Sequence, residues 1–213
     1  CVAFQNRVAH AMGGRTMHSG ADIDITGHRK LTHTDIDLLH VRNQSLRWIL
    51  IDELPMISDE LLGSFEYSIT NAADKNSHFK IRSDGSIRIF GGYNVLMFGD
   101  FYQIPPIPSS GTLAIPLAEK KPPSEAAKTA LNILWGVGVN ALNYFAELTI
   151  QKRIDDKWYS KLMEACRYGA LTNESYNFLV GLPTEHAGSW CSDGARDGEV
   201  QCQRDRCKNL SND

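Results

Sequence analysis

An α/β fold built on a parallel sheet is what this sequence predicts, on three observations. Two apolar runs, Trp48-Ile49-Leu50-Ile51 and Val95-Leu96-Met97-Phe98, each stop abruptly, the first at Asp52-Glu53 and the second at Gly99-Asp100. Short continuous apolar runs suit strands buried on both faces, and such sheets place their polar chemistry at the carboxyl ends of their strands. Stretches with helical spacing separate and follow these runs, and alternation of strand and helix argues for a parallel sheet.

In chain order, a helix is predicted around Val2 to Met12, where Val2, Phe4, Val8 and Met12 fall near a helical spacing. The polar segment to Val41 reads as loop with a short helix around Asp35 to His40. Strand 48 to 51 leads to Glu53, and a helix runs from Ser58 toward Ala73. Lys75 to Ser86 is a polar connection, after which Phe90-Gly91-Gly92 introduces a strand over 94 to 98. Pro105 to Pro123, rich in Pro, Ser and Gly, reads as a surface excursion. A helix over Ala126 to Trp135, a strand over Asn143 to Leu148 and an amphipathic helix over Asp156 to Arg167 complete the pattern. Trp158, Leu162 and Cys166 line one face of that last helix, and Trp158 is read as core rather than as a platform for a base.

The first apolar run has the chemistry of a Walker B strand. A buried strand fixes the backbone, Asp52 at its tip can hold Mg²⁺, and Glu53 can orient and deprotonate an attacking water. Acidic residues there also suit a helix N-terminus, so the pair alone leaves both readings open. The second run ends in Gly99-Asp100-x-x-Gln103 and then Pro105-Pro106, which halts regular structure. The Gln103 amide can bond a γ-phosphate or its attacking water and lose that partner after hydrolysis, as a nucleotide sensor must. Two such runs in this order read as a motor ATPase.

With these residues in view the chain resembles the Pif-type (petite integration frequency) DNA helicases of superfamily one, including the helicase parts of Helitron-like elements. The matching stretches are Gly14-Arg15-Thr16-Met17-His18-Ser19, the run from Ile49 to Ser58, Phe90-Gly91-Gly92 and Gly99-Asp100-Phe101-Tyr102-Gln103-Ile104-Pro105-Pro106. Glu147-Leu148-Thr149-Ile150-Gln151-Lys152-Arg153 and Arg167-Tyr168-Gly169-Ala170-Leu171-Thr172 follow, so the resemblance runs to about residue 190. It implies a RecA-like P-loop NTPase domain over 1–150, here incomplete, and the start of a second RecA-like domain over 151–190, while the polar composition of 191–213 reads as a disordered tail.

The resemblance also implies roles. Asp52 is the Mg²⁺ carboxylate, Glu53 the general base, Gln103 the γ-phosphate sensor, and Asp100 a partner behind them. Arg153 falls where an arginine finger follows a Leu-Thr pair, a guanidinium suited to charge on a transferring phosphoryl; a surface arginine beside Asp155 and Asp156 is the alternative. Thr16, His18 and Ser19 lie in a segment that touches single-stranded DNA in the family, and hydroxyls and imidazole suit phosphate contacts that position a strand without reading it. A packed or capping role for His18 stays open. Pro105 and Pro106 are expected along the DNA, although a rigid turn would look the same. The implied cofactors are ATP and Mg²⁺, and the implied partners are single-stranded DNA and duplex junctions, with no oligomeric state specified.

Several features depart from the family. No G-x-x-x-x-G-K-[ST] loop occurs, and Gly13-Gly14 lacks its spacing. The family places that loop upstream, so the chain reads as the middle of a longer protein that alone binds ATP weakly and does not unwind DNA. Leu54-Pro55 stands where Ile or Val and then Ser are usual, removing an amide donor two residues beyond Glu53, and the glutamine that commonly follows the finger is replaced by Ile154.

Composition fits a soluble globular body: 213 residues are 42% hydrophobic and 22% charged. No run of about twenty apolar residues exists, so no membrane-spanning helix is expected, and the amino end lacks a signal-peptide pattern. A net charge of −3 argues against a general nucleic-acid glue, so Arg29-Lys30, Arg42 and Arg47 or parts beyond these residues must supply a DNA track. Five cysteines without a secretory signal favour a reducing, intracellular setting, and the family resemblance implies the nucleus or mitochondrion in a eukaryote. Cys191, Cys202 and Cys207 with His186 make a poor zinc set by spacing, and reduced thiols are the simpler reading. The function expected is a piece of an ATP-dependent 5′–3′ DNA helicase acting in repair, recombination, telomere maintenance or transposon replication. The alternative is a degenerate domain that binds DNA or a partner.

Overall fold

A computed structural model describes residues 1–3, 5–24, 31–73, 79–106, 111–114 and 124–179. They divide into two compact units, Cys1–Phe145 and the residues from Ala146 onward.

The first unit is a four-stranded, wholly parallel sheet with helices between its strands. In chain order it comprises β1 (Val2–Ala3), α1 (Asn6–Ala11), β2 (Arg15–Thr16), α2 (Met17–Gly20), α3 (His33–Asn43), β3 (Trp48–Asp52), α4 (Asp59–Ala72), β4 (Asn94–Met97) and α5 (Glu125–Trp135). The strand order is β2-β1-β3-β4, with Val2 opposite Ile51 and Ile49 opposite Val95. Parallel neighbours require crossover connections, and the helices supply them.

The amino end corrects the sequence reading. Val2 and Ala3 are strand, not helix, because both are buried between β2 and β3, and pairing outweighs their helical spacing. The helix runs over Asn6–Ala11 and is followed by Gly13, whose φ of +66° suits the left-handed position that closes a helix. Gly14 follows because any Cβ there would overlap the Cys1 carbonyl, which accepts from the Arg15 amide at 3.1 Å. The Gly-Gly pair is therefore a turn between α1 and β2.

Helix α3 is longer than the expected Asp35 to His40, since Thr32 and Asp35 form a reciprocal capping box that starts it at His33. Helix α4 starts where Ser58 caps it, its Oγ accepting from the Leu61 amide at 3.1 Å. Its inner face carries Leu62, Phe65 and Ile69 onto Ile49 and Ile51, burial worth about 1.5–3 kcal/mol per large side chain. Gly63 lets α5 approach closely, because a Cβ there would strike the Ala126 carbonyl.

Phe90-Gly91-Gly92 bends the chain into β4 with three successive positive φ values of 50°, 61° and 83°. Only glycine fits the last two places, where a Cβ would meet Ala73 or the Phe79 carbonyl. The Phe90 amide donates to Glu66 Oε1 at 3.1 Å, the Gly91 amide to Thr70 Oγ1 at 2.9 Å, and the Thr70 hydroxyl to Glu66. Lys80 Nζ donates to the Thr70 and Ala73 carbonyls, placing a cation at the negative end of α4.

The predicted strand over Asn143 to Leu148 does not form. Residues 142–150 are exposed and without regular structure, and no strand among the described residues offers them a ladder. The second unit contains α6 (Lys157–Arg167) and α7 (Asn173–Leu179). Asp156 caps α6 by accepting from the Trp158 and Tyr159 amides; of the predicted apolar face Leu162 is buried, Trp158 half-buried and Cys166 exposed. The tail with Cys191, Cys202 and Cys207, and the basic pair Arg29-Lys30, lie outside the described residues.

Candidate nucleotide site at the carboxyl ends of β3 and β4

Strand β3 ends by presenting Asp52, half-buried, with its Oδ1 accepting from the Glu53 amide at 2.9 Å. Glu53 takes a left-handed conformation, φ 54° and ψ 43°. A non-glycine residue adopts it only where surroundings impose it. Here the chain must leave the strand at once, because the Leu54 amide donates to the Phe98 carbonyl at 2.9 Å while the Phe98 amide donates to the Ile51 carbonyl at 2.8 Å. Those two bonds tie the tip of β3 to that of β4.

Pro55 and Gly99 complete the junction. A Cβ on Gly99 would overlap the Pro55 ring and lie 3.0 Å from the Leu54 nitrogen, so only glycine lets the strand ends meet. Pro55 sits in the first turn of a short 3₁₀ segment, Leu54–Met56, where proline's missing amide is tolerated. The Met56 and Ile57 amides close that turn on the Glu53 and Leu54 carbonyls. The Pro55 substitution thus leaves the turn's backbone bonding intact.

Beyond Gly99 the chain makes a tight turn. The Gln103 amide donates to the Asp100 carbonyl at 2.9 Å and the Tyr102 amide to Asp100 Oδ1 at 3.0 Å. Asp100 thus shapes the backbone that presents Gln103, whose side chain is exposed. Pro105 is exposed and Pro106 buried, so of the two only Pro105 offers surface.

On β2 and α2, Thr16 uses its hydroxyl to cap α2, accepting from the Ser19 amide at 3.2 Å. Burial holds His18 below the ordinary imidazole range, so it is neutral at neutral pH and can meet a phosphate only as a neutral donor. Ser19 is exposed, and its carbonyl accepts from Arg42, which also pairs with Asp22 at 3.3 Å. Arg153 belongs to the second unit. It is exposed, its amide donates to Gln151 Oε1 at 2.6 Å, and it makes no ion pair with Asp155 or Asp156 among the described residues.

Magnesium prefers few protein carboxylates and completes its shell with water and phosphate oxygens. Asp52, half-buried with one oxygen already holding the turn, fits that sparse role. Among the described residues no group of three or more His, Cys, Asp or Glu gathers into a richer metal site.

Two features of the site carry no sequence signal. Asp59, nearly fully buried at the start of α4, packs its carboxylate against Gly111, where a Cβ would overlap it, and burial raises its pKa above the ordinary aspartate range. Phe101, inside the Gln103 turn, meets the Trp135 ring at 5.8 Å between centroids. Both contacts are long-range, so no spacing could reveal them.

A parallel α/β sheet with an acidic pair at one strand tip and a Gly-Asp-x-x-Gln turn at its neighbour's tip defines a RecA-like nucleotide-hydrolase fold of the helicase type. The chain belongs to the PIF1-like helicase family, whose family model matches residues 7–165. It is 25% identical over 178 residues to the ATP-dependent DNA helicase PIF7 of Trypanosoma brucei brucei, covering 80% of this chain and 16% of that protein. Its fold is similar to Pif1 helicase from Candida albicans, with TM-score 0.58 and 20% identity over 87% of this chain and 38% of that one. It is also similar to Bacteroides Pif1 in complex with ADP-AlF3 and single-stranded DNA, with TM-score 0.53 and 18% identity over 99% of this chain and 46% of that one. The chain thus spans under half the length of each of these relatives.

Proposed function

We propose that this chain is part of an ATP-dependent DNA helicase that couples ATP hydrolysis to 5′–3′ movement on single-stranded DNA and to duplex unwinding. The observation that carries this reading is the junction of the β3 and β4 tips, which sets Asp52-Glu53 beside the turn that presents Gln103. Bacteroides Pif1 with ADP-AlF3 and single-stranded DNA supports ATP and DNA as the ligands.

In hydrolysis, the water oxygen bonds the γ-phosphorus, the bridging P–O bond breaks with its electron pair left on the β-phosphate of ADP, and the water proton passes to Glu53. Magnesium, when bound, neutralises phosphate charge. Asp52 would hold that ion, Gln103 bonds the γ-phosphate or attacking water, and Arg153 stabilises charge on the transferring group. Loss of the γ-phosphate releases Gln103, and the Asp100 turn relaxes with it. Thr16, Ser19 and Pro105 line the path of the DNA backbone. The setting is intracellular, in the nucleus or mitochondrion of a eukaryote, in repair, recombination, telomere maintenance or transposon replication.

Without a G-x-x-x-x-G-K-[ST] cradle these 213 residues alone have nothing to hold the β- and γ-phosphates, and we expect no DNA-stimulated ATP hydrolysis from them. The test is strand displacement by the protein expressed from its full reading frame, on duplexes with a 5′ or a 3′ single-stranded tail. ATP-dependent displacement from the 5′-tailed substrate alone supports the reading. Binding of DNA without displacement of either points to a non-catalytic domain.

A further inference from the structure

We infer that Trp135 is a positioning residue for the turn that presents Gln103, acting through Phe101. The inference rests on the helicase reading above and assigns a partner to its sensor.

Two contacts fix the indole. Its Nε1–H donates to the Leu113 carbonyl at 2.7 Å, and its ring meets Phe101 at 5.8 Å and 47°, the tilted arrangement aromatic pairs prefer. Phe101 is the residue between Asp100 and Tyr102, inside the turn closed by the Gln103 amide. Leu113 is fully buried, so the indole takes its acceptor from the core.

Trp135 also ends a helix that belongs to the other half of the site. Helix α5 packs Ala127, Ala130 and Ile133 inward and lies against Gly63 of α4 through the Ala126 carbonyl. Helix α4 in turn follows Asp52-Glu53 and the Pro55 turn. The sensor turn follows β4, and through Phe101 and Trp135 it touches α5, which packs on the helix that follows Asp52-Glu53. The ring pair is not core: Phe101 is 41% and Trp135 47% exposed. Half-exposed rings held by one hydrogen bond can shift together as the turn changes state, whereas a buried pair would resist.

The test uses the full-length protein, with Trp135→Ala and Trp135→Phe made in wild type and in Gln103→Ala. A phenyl ring can still meet Phe101 but cannot donate to Leu113. We expect Trp135→Ala to lower the DNA-stimulated kcat by about tenfold with the KM for ATP changed less than about twofold, and Trp135→Phe to restore most of it. In the Gln103→Ala background Trp135→Ala should add little, because both changes act on one element. Full additivity there, equal defects in the Phe and Ala variants, or a loss confined to single-stranded-DNA affinity would each overturn the proposal, the last by making Trp135 a base contact. If wild type hydrolyses ATP and Glu53→Gln does not, the helicase reading stands whatever Trp135 shows. Wild type without DNA-stimulated hydrolysis would remove that reading and this inference with it.

Discussion

The β3–β4 junction and the stretch from Leu142 to Arg153 are equally rich in motif residues, yet they fold differently. At the junction, Leu54 and Phe98 exchange backbone bonds with the neighbouring strand, and Pro55 seats on Gly99. In the second stretch Leu148 is 91% and Ile150 74% exposed, with no ladder among the described residues. An apolar run becomes a strand only where another strand satisfies its amides and carbonyls. Motif strength therefore indicates chemistry, while pairing decides geometry.

The sharpest way to break this contrast is Gly99→Ala. A methyl must displace the Pro55 ring and the Leu54 backbone, overpacking that costs about 1–3 kcal/mol and separates the two strand tips. Urea unfolding should register the loss, and in the full-length protein ATP hydrolysis should fall by about a hundredfold, since misplacement by about an ångström is enough for that. Glu66→Ala acts further from the site, leaving the buried Phe90 amide without its acceptor. An unfolding loss of about 1–3 kcal/mol is expected, with Glu66→Gln closer to wild type because its amide oxygen still accepts.

Asp59 gives a smaller effect whose size depends on pH. Because burial raises its pKa above 3.8, the folded chain holds this proton more tightly than the unfolded one. Stability from this group is therefore greatest in acid and declines as pH rises from the ordinary aspartate value through the raised one. Asp59→Asn keeps an oxygen for the Glu60 amide and should remove that decline, seen as a flatter plot of unfolding free energy against pH. At the other extreme, Leu148→Ser in the exposed stretch should change stability by less than about 0.5 kcal/mol in the same unfolding assay, because nothing packs on it.

Much of the first unit could be read from the sequence because its signals are local. The apolar runs of β3 and β4, the Ser58 cap, and the helical spacing of α4 and α5 act within a few residues of themselves. What escaped depends on distant partners. Val2-Ala3 is strand only because β2 and β3 flank it, and the 143–148 run is not strand because no strand among the described residues does. Asp52, Glu53 and Gln103 stand out in the sequence as candidates by residue type and position, while the contacts of Asp59 with Gly111 and of Phe101 with Trp135 do not. The left-handed Glu53 was equally invisible, being imposed by the bond from Leu54 to Phe98.

The joined strand tips are proposed to form a hydrolytic site with Glu53 as its base. The direct measurement is single-stranded-DNA-stimulated ATP hydrolysis by the full-length protein, wild type beside Glu53→Gln, with ATP binding measured in parallel. Robust hydrolysis by wild type is expected, with a loss of about a hundredfold or more in the variant and ATP binding retained, as removal of a general base requires. Equal hydrolysis by the two proteins would contradict it.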